Sequence, residues 1–489
     1  PPHFQAEDGI RDALVGLVGS EMCIRDSRQT AVAPEAYEEY LRGLYLMAIR
    51  SRKTLEEASA AFERALAIEP AYAEAMAQLA MTYGLLSERN YGNLNDADSI
   101  AFGKQWSARA LDLAPHLAES HAAVGHATWR AGEILEAEQQ FQRALDINPN
   151  YAMVIHWLSM LKRRNLGKHE EAFALTQRAR RLDPIAVPII NIYIQMLIGR
   201  GKFEQAQGEI MRLESLSPTA HHRMRAQLVS LNGQWAEGTF AYLDALKIDG
   251  NQRSAQRSFV RQLFRMDLDQ ETDAFGSSIS MIYLYRVGRG QEAVDTTEAA
   301  YRAAPDSVYA QQAFARALAL NGELQRARPL LDDLFEKSSG HIALLSPHFF
   351  SLRDALILFH ARAAAGDENG AEEVLEAMDA EITRVRSAGI TVTREARSVD
   401  YSEGIRHYLG GEPEVGLPLI ERAIRDGYTL DVHIPYLQSL MHDPRVQPIR
   451  LLFEEIQTRE RRKLLERVCN DNPYRDIWQP AEATCAEIR

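Results

Sequence analysis

Apolar side chains along most of this chain recur at offsets of three and four. One spacing dominates: a small residue, a bulky one four later, a small one three later, then proline five later. It occurs as Ala58, Phe62, Ala65, Pro70 and again as Ala137, Phe141, Ala144, Pro149. Looser copies are Ala172, Thr176, Ala179, Pro184; Ala206, Ile210, Leu213, Pro218; and Ala293, Thr297, Ala300, Pro305. Pro115, Pro149, Pro184 and Pro218 are separated by 34, 35 and 34 residues. Offsets of three and four place side chains on one face of an α-helix. A small residue at a helix crossing lets two backbones approach, and the neighbouring bulky residue fills the hole.

A second helix is predicted upstream of each such run. Val124 precedes Ala137 by 13 residues, as Tyr193 precedes Ala206 and Phe314 precedes Ala327. Between the two helices lies a turn signal, Ala131-Gly132-Glu133 in the clearest copy. It returns in RGKFEQA (200–206), GRGQEA (288–293) and NGELQRA (321–327). Proline at the far end cannot continue the second helix and starts the next loop. An insertion around Arg89-Asn90-Tyr91-Gly92-Asn93 stretches the interval from Pro70 to Pro115 to 45 residues.

A helix–turn–helix unit of 34 residues with these spacings resembles the tetratricopeptide repeat (TPR). The resemblance covers residues 28–428. It implies an all-α fold, an α-solenoid: a TPR-like right-handed superhelix of stacked antiparallel helix pairs, about ten of them. The expected organisation is a non-native segment at 1–27, about six helix pairs over 28–250, and an irregular extra helix over 251–273. About four degenerate pairs follow over 274–428, then a C-terminal helix and capping tail over 429–489. One unit cannot bury its apolar face alone, so neighbours must stack in a line, leaving a long trough.

Composition narrows the function classes. The 489 residues are 46% hydrophobic and 25% charged, ordinary for a folded soluble chain. The net charge of −13 argues against direct nucleic-acid binding, which usually needs a basic face. The apolar run Ile185 to Gly199 contains Pro188, Asn191 and Gln195 and falls short of the roughly 20 residues a membrane span needs. It reads as a buried helix, and no membrane insertion is expected. Of three cysteines, Cys469 and Cys485 lie 16 residues apart. They read first as two free thiols; a disulfide clamping the tail is the sharper alternative and needs an oxidising compartment. The compartment is open: cytoplasmic is slightly favoured, with a membrane-tethered periplasmic placement as the alternative.

The first residues look foreign. Ile10-Arg11-Asp12 recurs as Ile24-Arg25-Asp26, and the stretches 6–12 and 16–27 resemble translated sequencing adapter. The alternative is a short helix around Arg11 to Leu17. On the adapter reading, natural sequence upstream of Arg28 is missing.

Motifs for catalysis are near misses. His169-Glu170 begins like HExxH, but the last position is Phe173. No phosphate-binding GxxxxGK[ST] and no GxSxG elbow occur. His221-His222 reads as a solvated helix start. Cys469 and Cys485 lack a histidine pattern for zinc. The expectation is therefore no enzyme activity, no cofactor and no metal.

Binding is what such an array offers. In the resembled family the first helix of each pair lines a concave groove that takes peptides or protein segments. Carried over by position, that implies His126, Trp129 and Arg130 on one helix. The next supplies His156, Trp157, Met160, Arg163 and Arg164, and the third Asn191 and Gln195. Aromatic, basic and amide groups would hold an acidic or amphipathic peptide. The competing reading makes Trp157 and Met160 packing residues and leaves the arginines solvated. The partner is a protein or peptide that the sequence does not identify. The chaperone-clamp subclass reads a C-terminal carboxylate with Lys and Asn, where this chain has His126, His156 and Asn191.

Residues 34–47, 146–161 and the region of Asp443-Pro444 also resemble the C-terminal repeats of bacterial multidomain signalling proteins. Those carry an N-terminal effector, often a class III nucleotidyl cyclase, sometimes a winged-helix domain. That implies, as the second reading of function, the regulatory half of a longer signalling chain with a missing effector domain. The tail reads as a charged helix over Ile449 to Val468, with Arg459, Arg461, Arg462 and Lys463 on a solvated face. An irregular segment between the cysteines is expected to cover the last apolar face.

Overall fold

The computed structural model describes residues 32–87, 96–250, 253–272, 281–305, 307–338, 340, 342, 350–391, 398–428 and 435–486. The adapter-like segment 1–27 and the insertion at Arg89–Asn93 lie outside them. Among the described residues there are twenty-four α-helices and no strand. The helices follow one another as antiparallel pairs, the all-α arrangement expected of an α-solenoid. The chain divides into two compact units, Pro1–Trp157 and Leu158–Arg489.

In the first unit α1 (Pro34–Ile49) pairs with α2 (Arg52–Ile68), α3 (Ala73–Leu86) with α4 (Asp96–Leu113), and α5 (Ala118–Ala131) with α6 (Ile134–Ile147). The division falls inside α7 (Ala152–Asn165). Sequence spacing becomes packing here. Ala58, Phe62, Ala65, Ala137, Phe141 and Ala144 are all fully buried. A Cβ on Gly125 would lie 2.7 Å from the Phe141 ring, so the missing side chain on α5 is the hole that the α6 ring fills. Gly43 on α1 plays the same part under Phe62 of α2, at 2.5 Å.

Helix ends follow local chemistry. Ser51 caps α2: its hydroxyl accepts from the Thr54 N–H at 3.1 Å, and the Thr54 hydroxyl accepts from the Ser51 N–H at 3.1 Å. The predicted turn at Gly132 has φ +85°, a left-handed conformation that glycine adopts without a Cβ clash. Its N–H donates to the Trp129 carbonyl at 3.1 Å, and the Glu133 N–H to that of Thr128 at 2.9 Å.

The second unit begins with the end of α7 and continues through α8 (His169–Leu182), α9 (Val187–Gly199), α10 (Phe203–Leu216), α11 (Pro218–Leu231) and α12 (Trp235–Ile248). Most of the run Ile185 to Gly199 is a buried helix, with Ile189, Ile190, Ile194 and Leu197 sealed inside, while Ile185 precedes the helix and is exposed. Pro218 departs from the expected loop role. It is the first residue of α11, where its missing N–H costs nothing and Ser217 supplies the cap. The segment that fits no repeat forms α13 (Arg253–Arg265) and a 3-10 turn, Asp269–Glu271.

Next come α14 (Met281–Arg286), α15 (Gly290–Ala303), α16 (Val308–Leu320) and α17 (Leu324–Lys337). The degenerate pairs follow as α18 (Leu352–Ala364) with α19 (Glu368–Ser387), and α20 (Val399–Leu409) with α21 (Pro413–Arg425). The chain ends in α22 (Gln438–His442), α23 (Gln447–Asn470) and α24 (Glu482–Ala486).

Within this unit the pairs do not form an open line, as simple stacking would have them. They turn back on themselves. Helix α23 packs on α12. The buried Glu460 carboxylate accepts from the Ala236 N–H at 3.2 Å, and Gln457 donates to the Arg265 carbonyl at 2.7 Å. Trp235, fully buried, donates its indole N–H to the Gly427 carbonyl at 3.1 Å. Gly233 and Gly427, both at positive φ, meet so closely that a Cβ on Gly233 would lie 3.3 Å from the Gly427 Cα. Large apolar residues over 172–478 join one continuous core, which seals the closure.

The tail departs from expectation twice. Cys469 and Cys485 are bonded to each other, with Cα atoms 5.5 Å apart, so the free-thiol reading is replaced by the disulfide. Helix α23 and the fold-back of 471–486 bring the two sulfurs together. The fold-back does not simply cover the last repeat; it reaches α12, α13 and the 3-10 turn. Tyr474 stacks on Phe240 at 6.2 Å and donates to Asp244 at 2.9 Å, and Trp478 meets Phe259 edge-on at 5.4 Å. The buried Glu271 carboxylate accepts from Trp478 at 3.2 Å, the Ala481 N–H at 2.9 Å and Thr484 at 2.6 Å. The charged face of α23 is also engaged. Lys463 pairs with Glu460 at 2.8 Å, and Arg461 donates to the Asp267 carbonyl at 2.8 Å.

Candidate functional site: a basic cleft in the second unit

The groove residues inferred from repeat position fall in two units. In the first unit the aromatic members pack on one another. His126 lies 4.9 Å from Trp157 and 6.3 Å from Trp129, and Phe141 is 6.1 Å from Trp157. His126, His156 and Trp157 are buried, while Trp129 and Arg130 are half-buried. A Cβ on Gly84 would lie 2.5 Å from the His126 ring, so α3 presses directly on that side chain. Burial, helped by Arg130 and Arg50, pushes the His126 imidazole down to about 3. It is therefore a neutral core residue at ordinary pH.

In the second unit Met160 is partly buried against the core, and Arg164 and Asn191 are half-buried. Arg163 and Gln195 do come together. They line a cleft of about 180 Å³ with residues from α8, α9, α11, α12 and α13. Four arginines face it: Arg163, Arg200, Arg261 and Arg265. His169, Gln227, Ser230, Ser258 and Gln262 add neutral polar groups, and Ile390 and Leu231 add apolar wall. Among the described residues no Asp or Glu lines it. In a chain of net charge −13, that is a local inversion of sign.

Local structure fixes these groups. The Arg200 guanidinium lies 4.1 Å over the Phe173 ring, and it donates to the His169 carbonyl at 3.2 Å and to Glu170 at 2.8 Å. Glu170 itself is largely exposed, so the counter-charge sits outside the cleft. The Thr391 N–H donates to the Gly199 carbonyl at 2.8 Å, which brings neighbouring Ile390 over the end of α9. Gln262 donates to Ser230 at 2.8 Å while its own carbonyl oxygen has no partner among the described residues. His169 is 5% exposed, and neither ring nitrogen has a partner among them. Burial first, then the charges of Arg384, Arg163 and Arg200, push this imidazole down to about 3. The cleft thus offers cationic and neutral donors held in place, and one buried ring with nothing to bond.

A shallower depression of about 340 Å³ contrasts with it. There Glu209 accepts two hydrogen bonds from Arg180, at 3.0 and 2.9 Å, and a third from Arg212 at 3.0 Å, so a carboxylate stands among the arginines of that wall. His221, expected to be solvated, is buried, with Nδ1 2.9 Å from the Ile210 carbonyl. Repeat position pointed to Arg163 and Gln195 but missed His169, Arg200, Arg261, Gln262 and Arg265. His169 stood out only as half of a zinc motif. Arg261 lies on the helix that fits no repeat, where position in a repeat cannot point.

No family model matches the sequence, and no curated protein matches it either. Solved structures do. A thermophilic TPR protein of Thermus thermophilus, TTC0263, shares 20% identity over 40% of this chain and 97% of its own, with a TM-score of 0.32. MamA from Desulfovibrio magneticus shares 15% over 38% of this chain and 98% of its own, at 0.25. Human IFIT1, solved as a dimer with PPP-AAAA, shares 14% over 85% of this chain and 77% of its own, at 0.30. The chain is a TPR-like helical repeat protein. Likeness at these scores says nothing of ligand or partner, and the helix pairs themselves carry the statement. The comparisons lend no support to the cyclase-linked or winged-helix-linked reading.

Proposed function

We propose that this TPR-like chain is a non-catalytic interaction scaffold that binds a protein segment bearing negative charge. Repeat arrays of this kind generally serve protein–protein contact. The observation that supports the reading here is the cleft of the second unit, whose wall among the described residues carries four arginines and no carboxylate. Guanidinium forks match acidic oxygens bidentately, and partial exclusion of water strengthens each such bond. The cleft supplies positioning and charge, which is what recognition requires.

Fluorescence anisotropy with an acidic peptide library and a matched amide-substituted library tests this. The acidic library should bind the full chain, and binding should weaken as salt rises. The Arg163→Glu, Arg261→Glu double variant should bind at least about tenfold less, a loss of roughly 1.4 kcal/mol or more. Equal binding by this variant, with an unchanged melting curve, contradicts the assignment.

A further inference from the structure

The ligand's chemistry follows from three features of the cleft: its sign, its size and the groups it leaves unbonded. Among the described residues its wall concentrates four guanidinium groups without a carboxylate, against a chain that is acidic overall. Arg200 is already paired with Glu170 outside the cleft, yet its guanidinium and its neighbours offer more N–H donors than the two oxygens of one side-chain carboxylate can accept. A phosphoryl group carries nearly two charges and three strong acceptor oxygens. At about 180 Å³ the cleft is small beside the ~300–1,000 Å³ of ordinary ligand pockets. It fits a compact charged head better than a length of extended chain.

The unbonded groups narrow the choice further. The His169 ring is nineteen-twentieths buried, lines the cleft and bonds nothing among the described residues. A neutral imidazole has one N–H to give to an anion's oxygen. Leaving it unbonded costs free energy that a ligand recovers. The Gln262 carbonyl oxygen lines the same cleft and is also without a partner among them. It is an acceptor and is repelled by phosphoryl oxygens, so it calls for a donor on the same ligand. A backbone N–H beside a phosphorylated side chain supplies one.

We propose that the cleft holds the phosphoryl group of a phosphorylated protein segment, with Arg163, Arg200 and Arg261 as its cationic partners and His169 and Gln262 fixing its orientation. The proposal rests on the interaction-scaffold reading and names the ligand class of that same site. No covalent step is involved.

The test uses the full chain and degenerate peptide libraries that differ only at one fixed position: phosphoserine, glutamate or serine. Inorganic phosphate, followed by phosphorus NMR line broadening, is the separate small-anion probe. The phosphoserine library should be retained about tenfold better than the glutamate library. Arg261→Gln, a change at an exposed side chain, should bring that ratio to within about twofold. His169→Phe, close in shape, should lower phosphoserine retention while leaving the melting curve in place. Equal retention of the phosphoserine and glutamate libraries overturns the phosphoryl assignment and leaves an acidic-segment scaffold standing. Broadening by inorganic phosphate with no library retained overturns the protein-borne source and the scaffold reading together. Retention of no library and no broadening removes the site altogether.

Discussion

Single side chains set the tightest constraints in the first unit. Gly84 has no room for a Cβ because the His126 ring occupies that space. Gly84→Ala should therefore destabilise by about 1–3 kcal/mol, as overpacking does. A shift of the urea midpoint checks it. His126 also gives the unit a pH dependence with a definite sign. Its folded-state value is pushed down to about 3, below the ordinary histidine value near 6.5. The folded state then takes up the proton less readily than the unfolded chain. Stability is whole above pH 6.5 and declines as pH falls from there toward 3, by at most about 1.4 kcal/mol per pH unit. His126→Phe should flatten that decline between pH 6.5 and 4.5 relative to the parent chain. Identical slopes for the two proteins would show the ring to be solvated after all. Such side chains were only half visible in the sequence. The small-and-bulky rhythm announced Phe62 and Phe141 because both partners recur at fixed offsets. The position of His126 under Gly84 was not announced, since the two residues belong to different repeats.

The helices themselves were the most readable part. Their starts and stops depend on neighbours three to six residues away, as at Ser51 and Gly132, and local chemistry of that kind is written in order. The tail was less readable. Its helix showed, but its docking partners, Phe240, Phe259 and Glu271, lie some two hundred residues upstream. One carboxylate there receives three hydrogen bonds, and a disulfide closes the loop behind it. Glu271→Ala should leave the buried Trp478 and Thr484 donors unmatched, a cost of roughly 1–3 kcal/mol per unsatisfied group. Faster amide exchange across 471–486, with α5 and α6 unaffected, is the expected signature. Reducing the disulfide should speed the same amides, because the loop loses its covalent limit. Protection unchanged by both treatments would mean the tail is held by apolar contact alone.

The second unit as a whole was the least readable, because closure is a property of distant segments. Open repeat arrays fray from their ends, and stability falls toward the termini. A closed array has no free end to fray. Amides of α9 and α10 should thus exchange in the same cooperative step as those of α18, α19 and α23. Gly427→Val should break that unity, since the Gly233 backbone leaves no room for a side chain and the φ of +91° disfavours one. In that variant α23 should open early while α9 and α10 hold. Stepwise exchange already present in the parent chain would refute the closure. The cleft owes its wall to the same arrangement. Ile390 lines the cleft with Arg163, Arg200 and Arg261 because the turn after α19 is bonded to the end of α9. Repeat position carries no information about such a meeting, and so only two of the ten groove candidates found their place in the cleft.

The clasp of residues 471–486 has a practical bearing on shortened versions of the chain. Any version ending before Trp478 bares Phe259 and loses the cover over Glu271, and one ending before Tyr474 uncovers Phe240 as well. Aromatic surface exposed beside an uncapped acid invites self-association. Shortened products should therefore precipitate or form soluble clusters at concentrations where the parent remains dispersed, and light scattering during purification would reveal it first.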